Sequence, residues 1–212
     1  MVIFDCDGVL VDSERLSHTV LCEMMAERGV ALGFDEAVEL FIGVSLPVGM
    51  VKVRELLGGN VPADFLPEMG RRTRQAFLAG LTVVPGIVGV LDALRRPYCV
   101  ASNGNHAKVS FTLGHTGLLP RFAGRIFTAD DVDRPKPAPD LFLHAARMMD
   151  AEPRHTTVVE DTPTGITAAK AAGMRAIGYA AMTSVDRLHA AGADVVVQTM
   201  AEVQALLARP HP

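Results

Sequence analysis

Apolar residues along the chain gather into short runs separated by stretches in which they recur every three or four positions. The runs are Val2 to Phe4, Tyr98 to Ala101, Ile126 to Thr128, Thr157 to Val159, Ala176 to Tyr179 and Asp194 to Val197. Each is short enough to be a strand covered on both faces. Between them, His106 to Thr116, Asp140 to Met149, Gly165 to Ala172 and Ala201 to Ala208 carry helical spacing. Strands alternating with helices predict an α/β fold with a parallel sheet and helices on both of its faces. Ligands of such sheets collect beyond the carboxyl ends of the strands.

Roughly ninety residues separate the first two runs, far more than the dozen or so that one crossover needs. Asp12 or Ser13 is placed to cap a helix whose apolar positions Leu16, Val20, Leu21, Met24 and Met25 share one face, ending near Gly29. Pro47 to Leu57 and Pro67 to Leu78 give two more helices, Val84-Pro85-Gly86 marks a return, and Val88 to Leu94 is a further helix. The expected organisation is a core of residues 1–12 and 84–212 interrupted by a small helical domain of residues 13–83.

The 212 residues are 49% hydrophobic, enough for a substantial core. A formal net charge of -4 without a long basic run gives no electrostatic footprint for nucleic acid or an anionic membrane, so neither is an expected partner. Cys6, Cys22 and Cys99 are odd in number and form no C-x-x-C pair, and the first apolar run is too short for a signal peptide or a membrane span. A cytoplasmic protein, monomeric or weakly dimeric, is expected. Cys22 and Arg28 have the C-x5-R spacing of cysteine-dependent phosphatases, but the segment is helical and Glu23 and Glu27 would repel a phosphate; the spacing is taken as chance.

Chemistry concentrates where strands end. Asp5 and Asp7 follow the first run, and at about 4 Å two carboxylates repel by roughly 4 kcal/mol at an effective dielectric of about 20. A hard divalent cation relieves that repulsion, and Gly8 lets the backbone turn sharply beside a ligand. Ser102, Asn103 and Gly104 follow the second run and precede a helix, where a hydroxyl and backbone amides can face phosphate oxygens. Lys136 sits among Pro135, Pro137 and Pro139, a stiff loop that would aim its ammonium. Glu160 and Asp161 form a second acidic pair after another strand, for which helix capping by Asp161 is the plain alternative.

Asp5-Cys6-Asp7-Gly8-Val9-Leu10-Val11-Asp12-Ser13, Ser102-Asn103-Gly104, Lys136-Pro137-Ala138-Pro139-Asp140 and Glu160-Asp161 together resemble the four motifs of the haloacid dehalogenase-like phosphatases. The resemblance covers essentially the whole chain and is weak between Asp35 and Leu81. It implies a Rossmann-like core with an inserted helical cap that closes over the site. Asp5 would be the nucleophile, Asp7 the general acid and base, and Lys136 the group that neutralises the nucleophile and phosphoryl group. Mg²⁺ would be held by the Asp5 and Asp161 carboxylates and the Asp7 carbonyl, with Glu160 at or behind the ion. Gly8, Ser102 and Asn103 would bind the substrate.

The chain looks most like the branch containing beta-phosphoglucomutase and sugar-phosphate phosphatases. Cys99 to Gly104 and Lys136 to Met149 look particularly like those acting on 6-phosphogluconate. The expected partner is a small phosphorylated metabolite, a sugar phosphate or a phosphosugar acid. In the cap, Gly43-Val44-Ser45-Leu46 resembles the substrate-specificity loop, which makes Gly43 and Ser45 candidate contacts. Leu46 stands where the mutase has an arginine, and Ser17 where it has a histidine, with His18 one position off, so hydrolysis is favoured over a mutase. Arg71, with Arg72 and Arg74, could take a distal anion or simply form a solvated helix face. His106 is expected to be a helix-terminal residue. A dehalogenase and a non-catalytic phosphoacceptor module also use an aspartate in an α/β sheet. The Asp7 shuttle argues against the first, and the motif order with its large cap against the second.

Overall fold

The computed structural model describes residues 1–208; residues 209–212 of the expected core lie outside them. Along the chain, β1 (Val2–Phe4) leads to α1 (Ser13–Ala26), α2 (Phe34–Phe41), α3 (Leu46–Leu56), α4 (Phe65–Gly80) and α5 (Ile87–Ala93). Then come β2 (Tyr98–Ser102), α6 (His106–His115), β3 (Ile126–Thr128), α7 (Asp140–Met148), β4 (Thr157–Glu160) and α8 (Pro163–Ala171). β5 (Arg175–Tyr179), α9 (Val185–Ala190), β6 (Val195–Val197) and α10 (Met200–Leu207) complete it. The chain forms two compact units: Met1–Val11 with the chain from Thr82 onward, and Asp12–Leu81.

In the first unit six parallel strands lie in the order β3-β2-β1-β4-β5-β6. Ile3, Ala101, Leu141, Phe142, Val158 and Ile166 belong to one buried cluster between sheet and helices. Fully burying an aliphatic or aromatic side chain stabilises by roughly 1.5–3 kcal/mol, and this covering of both faces is why the strands are unbroken apolar runs. β1 is central: Phe4 is level with Val100 on one side and Val159 on the other. Asp5, Ser102 and Glu160 therefore leave the sheet at the same end. Connections run outward from β1 through β2 on one side and from β4 on the other, so this end is the crevice where the strand order reverses. Where the chain leaves and re-enters the unit, Val11 bridges Val83 and the Val84 amide donates to the Leu10 carbonyl at 3.0 Å.

The second unit is α1 to α4 around Leu21, Met24, Met25, Ala37, Val53 and Phe65. Neither residue expected to cap α1 does so by its side chain: the helix has no side-chain cap, and Asp12 instead accepts from Arg15 Nε at 2.7 Å. A charged partner three residues on competes directly with the cap bond. Among the described residues no helix is long and apolar enough to cross a membrane.

Candidate active site

The first carboxylate after β1 is met by a lysine from 131 residues further along. Lys136 Nζ donates to Asp5 Oδ1 at 2.5 Å, to Glu160 Oε1 at 2.7 Å and to the Ala101 carbonyl at 2.9 Å. All three of its hydrogens are thus directed, and the ammonium also lies 4.7 Å from the Phe142 ring centroid. The loop that carries it is clamped by Asn103, whose side-chain oxygen accepts from the Lys136 amide at 3.0 Å and whose side-chain nitrogen donates to the Lys136 carbonyl at 2.9 Å.

Glu160 is equally committed. Its second oxygen accepts from both the amide and the hydroxyl of Thr162 at 2.9 Å. Thr162, not Asp161, then caps α8 by accepting from the Gly165 amide at 3.1 Å. The alternative role for Asp161 is therefore filled by its neighbour, and Asp161 is buried beside Asp5 and Glu160. One oxygen from each of the three lies within 4.8 Å of the others.

Gly8 closes this cluster from the β1 side. Its φ is +77°, and a Cβ there would sit 2.1 Å from Asp161 Oδ2. Beyond it Asp7 turns outward, accepting from Lys108 Nζ of α6 at 2.8 Å, with its side chain 13% exposed. Ser102 is buried and its Oγ accepts from the Gly104 amide at 3.0 Å, a bond that leaves the hydroxyl's own hydrogen to point elsewhere.

Buried carboxylates outnumber the ammonium between them. Burial pushes Asp5 up to about 8; Lys136 pulls it back, while Glu160 and Asp7 push it further. Burial would also lower Lys136, but Asp5 and Glu160 outweigh it and hold the ammonium well above its ordinary value. A compact set of hard oxygen donors with surplus negative charge suits a divalent cation of the Mg²⁺ type.

A family profile described as haloacid dehalogenase-like hydrolase matches residues 1–173. The chain belongs to that family. It is 32% identical over 182 residues to the 6-phosphogluconate phosphatase of Escherichia coli (strain K12), covering 85% of this chain and 82% of the relative. A conserved haloacid dehalogenase-like protein from Agrobacterium tumefaciens superposes with a TM-score of 0.91 at 34% identity, over 98% of this chain and 96% of that one. A family hydrolase from Deinococcus radiodurans, solved with bound phosphate and sodium, gives 0.85 at 31% identity over 98% and 94%. This chain is thus an enzyme of a hydrolase family on an α/β fold shared along nearly its whole length.

The remaining candidate residues have defined neighbours. Asn103 is a clamp on the Lys136 loop, its side chain taken up by that loop's backbone. Arg71 is exposed and donates to both oxygens of Glu68 and to Gln75, while Arg72 pairs with Glu68 and Glu27, a surface ion network of the second unit. In that unit Gly43 adopts φ +70° and Ser45 precedes α3 without capping it. Ser17 donates to the Ser13 carbonyl, and His18 is buried against the Glu14 carbonyl and the Phe34 ring. Cys22 lies inside α1, where burial raises its thiol, and Arg28 is turned back to the Met24 carbonyl, so the C-x5-R spacing forms no anion loop. His106 opens α6 and contacts Asp131 at 2.9 Å.

Lys108 and Thr162 are the contacts that motif spacing missed. Lys108 had a weak readable signal: a lysine in the first turn of a helix opposes the helix dipole, and a nearby anion offsets that.

Proposed function

We propose that this chain is a Mg²⁺-dependent phosphomonoesterase for a small phosphorylated metabolite, a sugar phosphate or phosphosugar acid. What supports the reading above all is one juxtaposition: the Asp5 carboxylate, gripped by Lys136 at 2.5 Å, at the open end of the sheet beside Asp161 and Glu160. Asp5 Oδ attacks phosphorus in line with the ester bond, forming an aspartyl phosphate as the alcohol departs. Asp7 gives its proton to the departing oxygen and then removes one from the water that hydrolyses the aspartyl phosphate. Lys136 carries positive charge to the phosphoryl oxygens, and Ser102 with the amides of its loop donates to them.

Mg²⁺ held by Asp5, Asp161 and the Asp7 carbonyl, with Glu160 behind them, would supply the charge that lets a phosphate dianion approach these carboxylates. Glu160 acts mainly on Lys136 and Thr162, since both its oxygens are engaged there. The helical unit serves as the cap, with Gly43, Ser45 and Arg71 as candidate specificity positions. The 6-phosphogluconate phosphatase relative suggests a phosphosugar acid among the substrates.

The test is phosphate release from a panel of sugar phosphates and phosphosugar acids with Mg²⁺, run on the wild type, on Asp5→Asn, and with the metal chelated. Loss of about three orders of magnitude or more in both arms is expected. Full turnover by Asp5→Asn, or in chelator, contradicts the mechanism. Adding beta-glucose 1-phosphate with its bisphosphate activator to the panel separates a mutase from a phosphatase, because a mutase isomerises it without net phosphate release.

A further inference from the structure

Among the described residues, Lys108 reaches Asp7 but has no part in the hydrolytic scheme above. Its backbone is fixed at the start of α6, where its amide donates to Asn105 Oδ1 at 2.8 Å. Its stem passes over Gly104, at which a Cβ would come within 3.2 Å of Lys108 Cδ. The ammonium ends 2.8 Å from Asp7 Oδ2, and the side chain is 41% exposed, against 3% for Lys136. The two lysines therefore differ: Lys136 is sealed in against Asp5, and Lys108 is partly exposed beside Asp7, the carboxylate that on the hydrolytic reading serves the leaving group.

Asp7 is the carboxylate that serves the departing alcohol. Hydrogen bonds of about 2.8 Å on each side of it put the Lys108 ammonium within roughly 6 Å of that oxygen. An ammonium at this distance, on the solvent side of four carboxylates, meets the substituents of the leaving group before it meets the phosphorus. Asp7 already supplies the anion that a lysine in the first turn of α6, opposed to the helix dipole, calls for.

We propose that Lys108 selects the leaving group by binding a carboxylate on the alcohol that departs from phosphorus, so that the preferred substrates are phosphorylated hydroxy acids and not the corresponding polyol phosphates. The inference rests on the phosphomonoesterase reading and narrows its substrate class. Lys108 makes no covalent contribution; its ammonium pairs with the carboxylate through a charge-assisted hydrogen bond.

Two matched pairs of substrates test it: 6-phosphogluconate against glucitol 6-phosphate, and 3-phosphoglycerate against glycerol 3-phosphate. Within each pair the members differ in a carboxylate against a hydroxymethyl group. kcat and KM are measured with Mg²⁺ for the wild type, Lys108→Met and Lys108→Arg, with melting curves to establish that all three fold.

The wild type is expected to favour an acid member at least tenfold in kcat/KM. Lys108→Met should lower kcat/KM for that acid at least tenfold more than for its polyol partner, the excess appearing in KM, and Lys108→Arg should keep most of the preference. An equal loss on both members, seen in kcat, overturns the proposal and makes Lys108 a positioning residue for Asp7. So does a wild type that favours the polyol phosphates. Absence of phosphate release from all four compounds and from other phosphomonoesters would instead overturn the hydrolytic reading, and this inference with it.

Discussion

Two glycines show how little slack the site has. The first turn of α8 brings Gly165 so close to Glu160 that a Cβ would lie 1.8 Å from Oε1. That oxygen is the one Lys136 holds, and the neighbouring oxygen holds Thr162. Gly165→Ala must therefore displace either the carboxylate or the helix, and overpacking of this kind costs about 1–3 kcal/mol. We expect Gly165→Ala to lower stability by that amount in a urea titration and to cut phosphate release more than tenfold, with half-activation shifted to higher Mg²⁺. Unchanged stability and metal response would mean that Glu160 has other conformations open to it. Gly8 is tight in a different way, since its positive φ is strained for any L side chain whatever the space around it.

At the scale of the element, α6 joins fold to site. Asn105 caps it through Lys108, the residue that reaches Asp7. Asn105→Ala should cost about 1 kcal/mol, as the loss of a helix cap commonly does. It should also disturb the Lys108 contact, raising KM more than a surface substitution of equal thermal effect. A melting temperature shift without a KM change would separate the two roles.

Elements were legible from sequence where burial dictated composition. All six apolar runs became strands, because a parallel sheet covered on both faces leaves no room for polar alternation. α2 and α9 are short helices that carry few buried apolar positions, Ala37 and Val38 in α2 and Leu188 in α9, so little in their sequence marks a face. Phe34, Ala37, Val38 and Phe41 do carry helical spacing, but a single such repeat is a weak signal. The acidic and lysine residues of the site were legible because their types are costly at strand ends. The direction of the Asn103 side chain was not, since an amide next to a turn satisfies many partners equally well and only the fold chooses the Lys136 backbone.

For the molecule as a whole, the surplus of buried carboxylates should make stability depend on pH and, on the proposed reading, on divalent metal as well. Burial, with Glu160 and Asp7, raises Asp5 to about 8 despite Lys136, so without metal the folded chain keeps a proton that the unfolded chain gives up near pH 4. Stability of the metal-free protein should then fall as pH rises from about 5 to about 8 and level off above that. At the acid end the sign is opposite. Burial would raise Asp194, but the Lys170 ammonium and the Ala176 amide hold it below its ordinary value. Its contribution is present above the unfolded carboxylate range and is lost as pH falls through it.

The metal-free protein should therefore be most stable in mildly acidic solution. If, as proposed, Mg²⁺ binds the ionised carboxylates, it competes with the Asp5 proton, and the melting temperature gained on adding it should grow with pH across the same window. Asp5→Asn removes the titrating group and should flatten the decline and most of the metal-dependent gain. Melting curves from pH 5 to 9, with and without Mg²⁺, on both proteins decide the matter. A wild-type gain that is constant with pH would mean that the cation and the proton do not share Asp5.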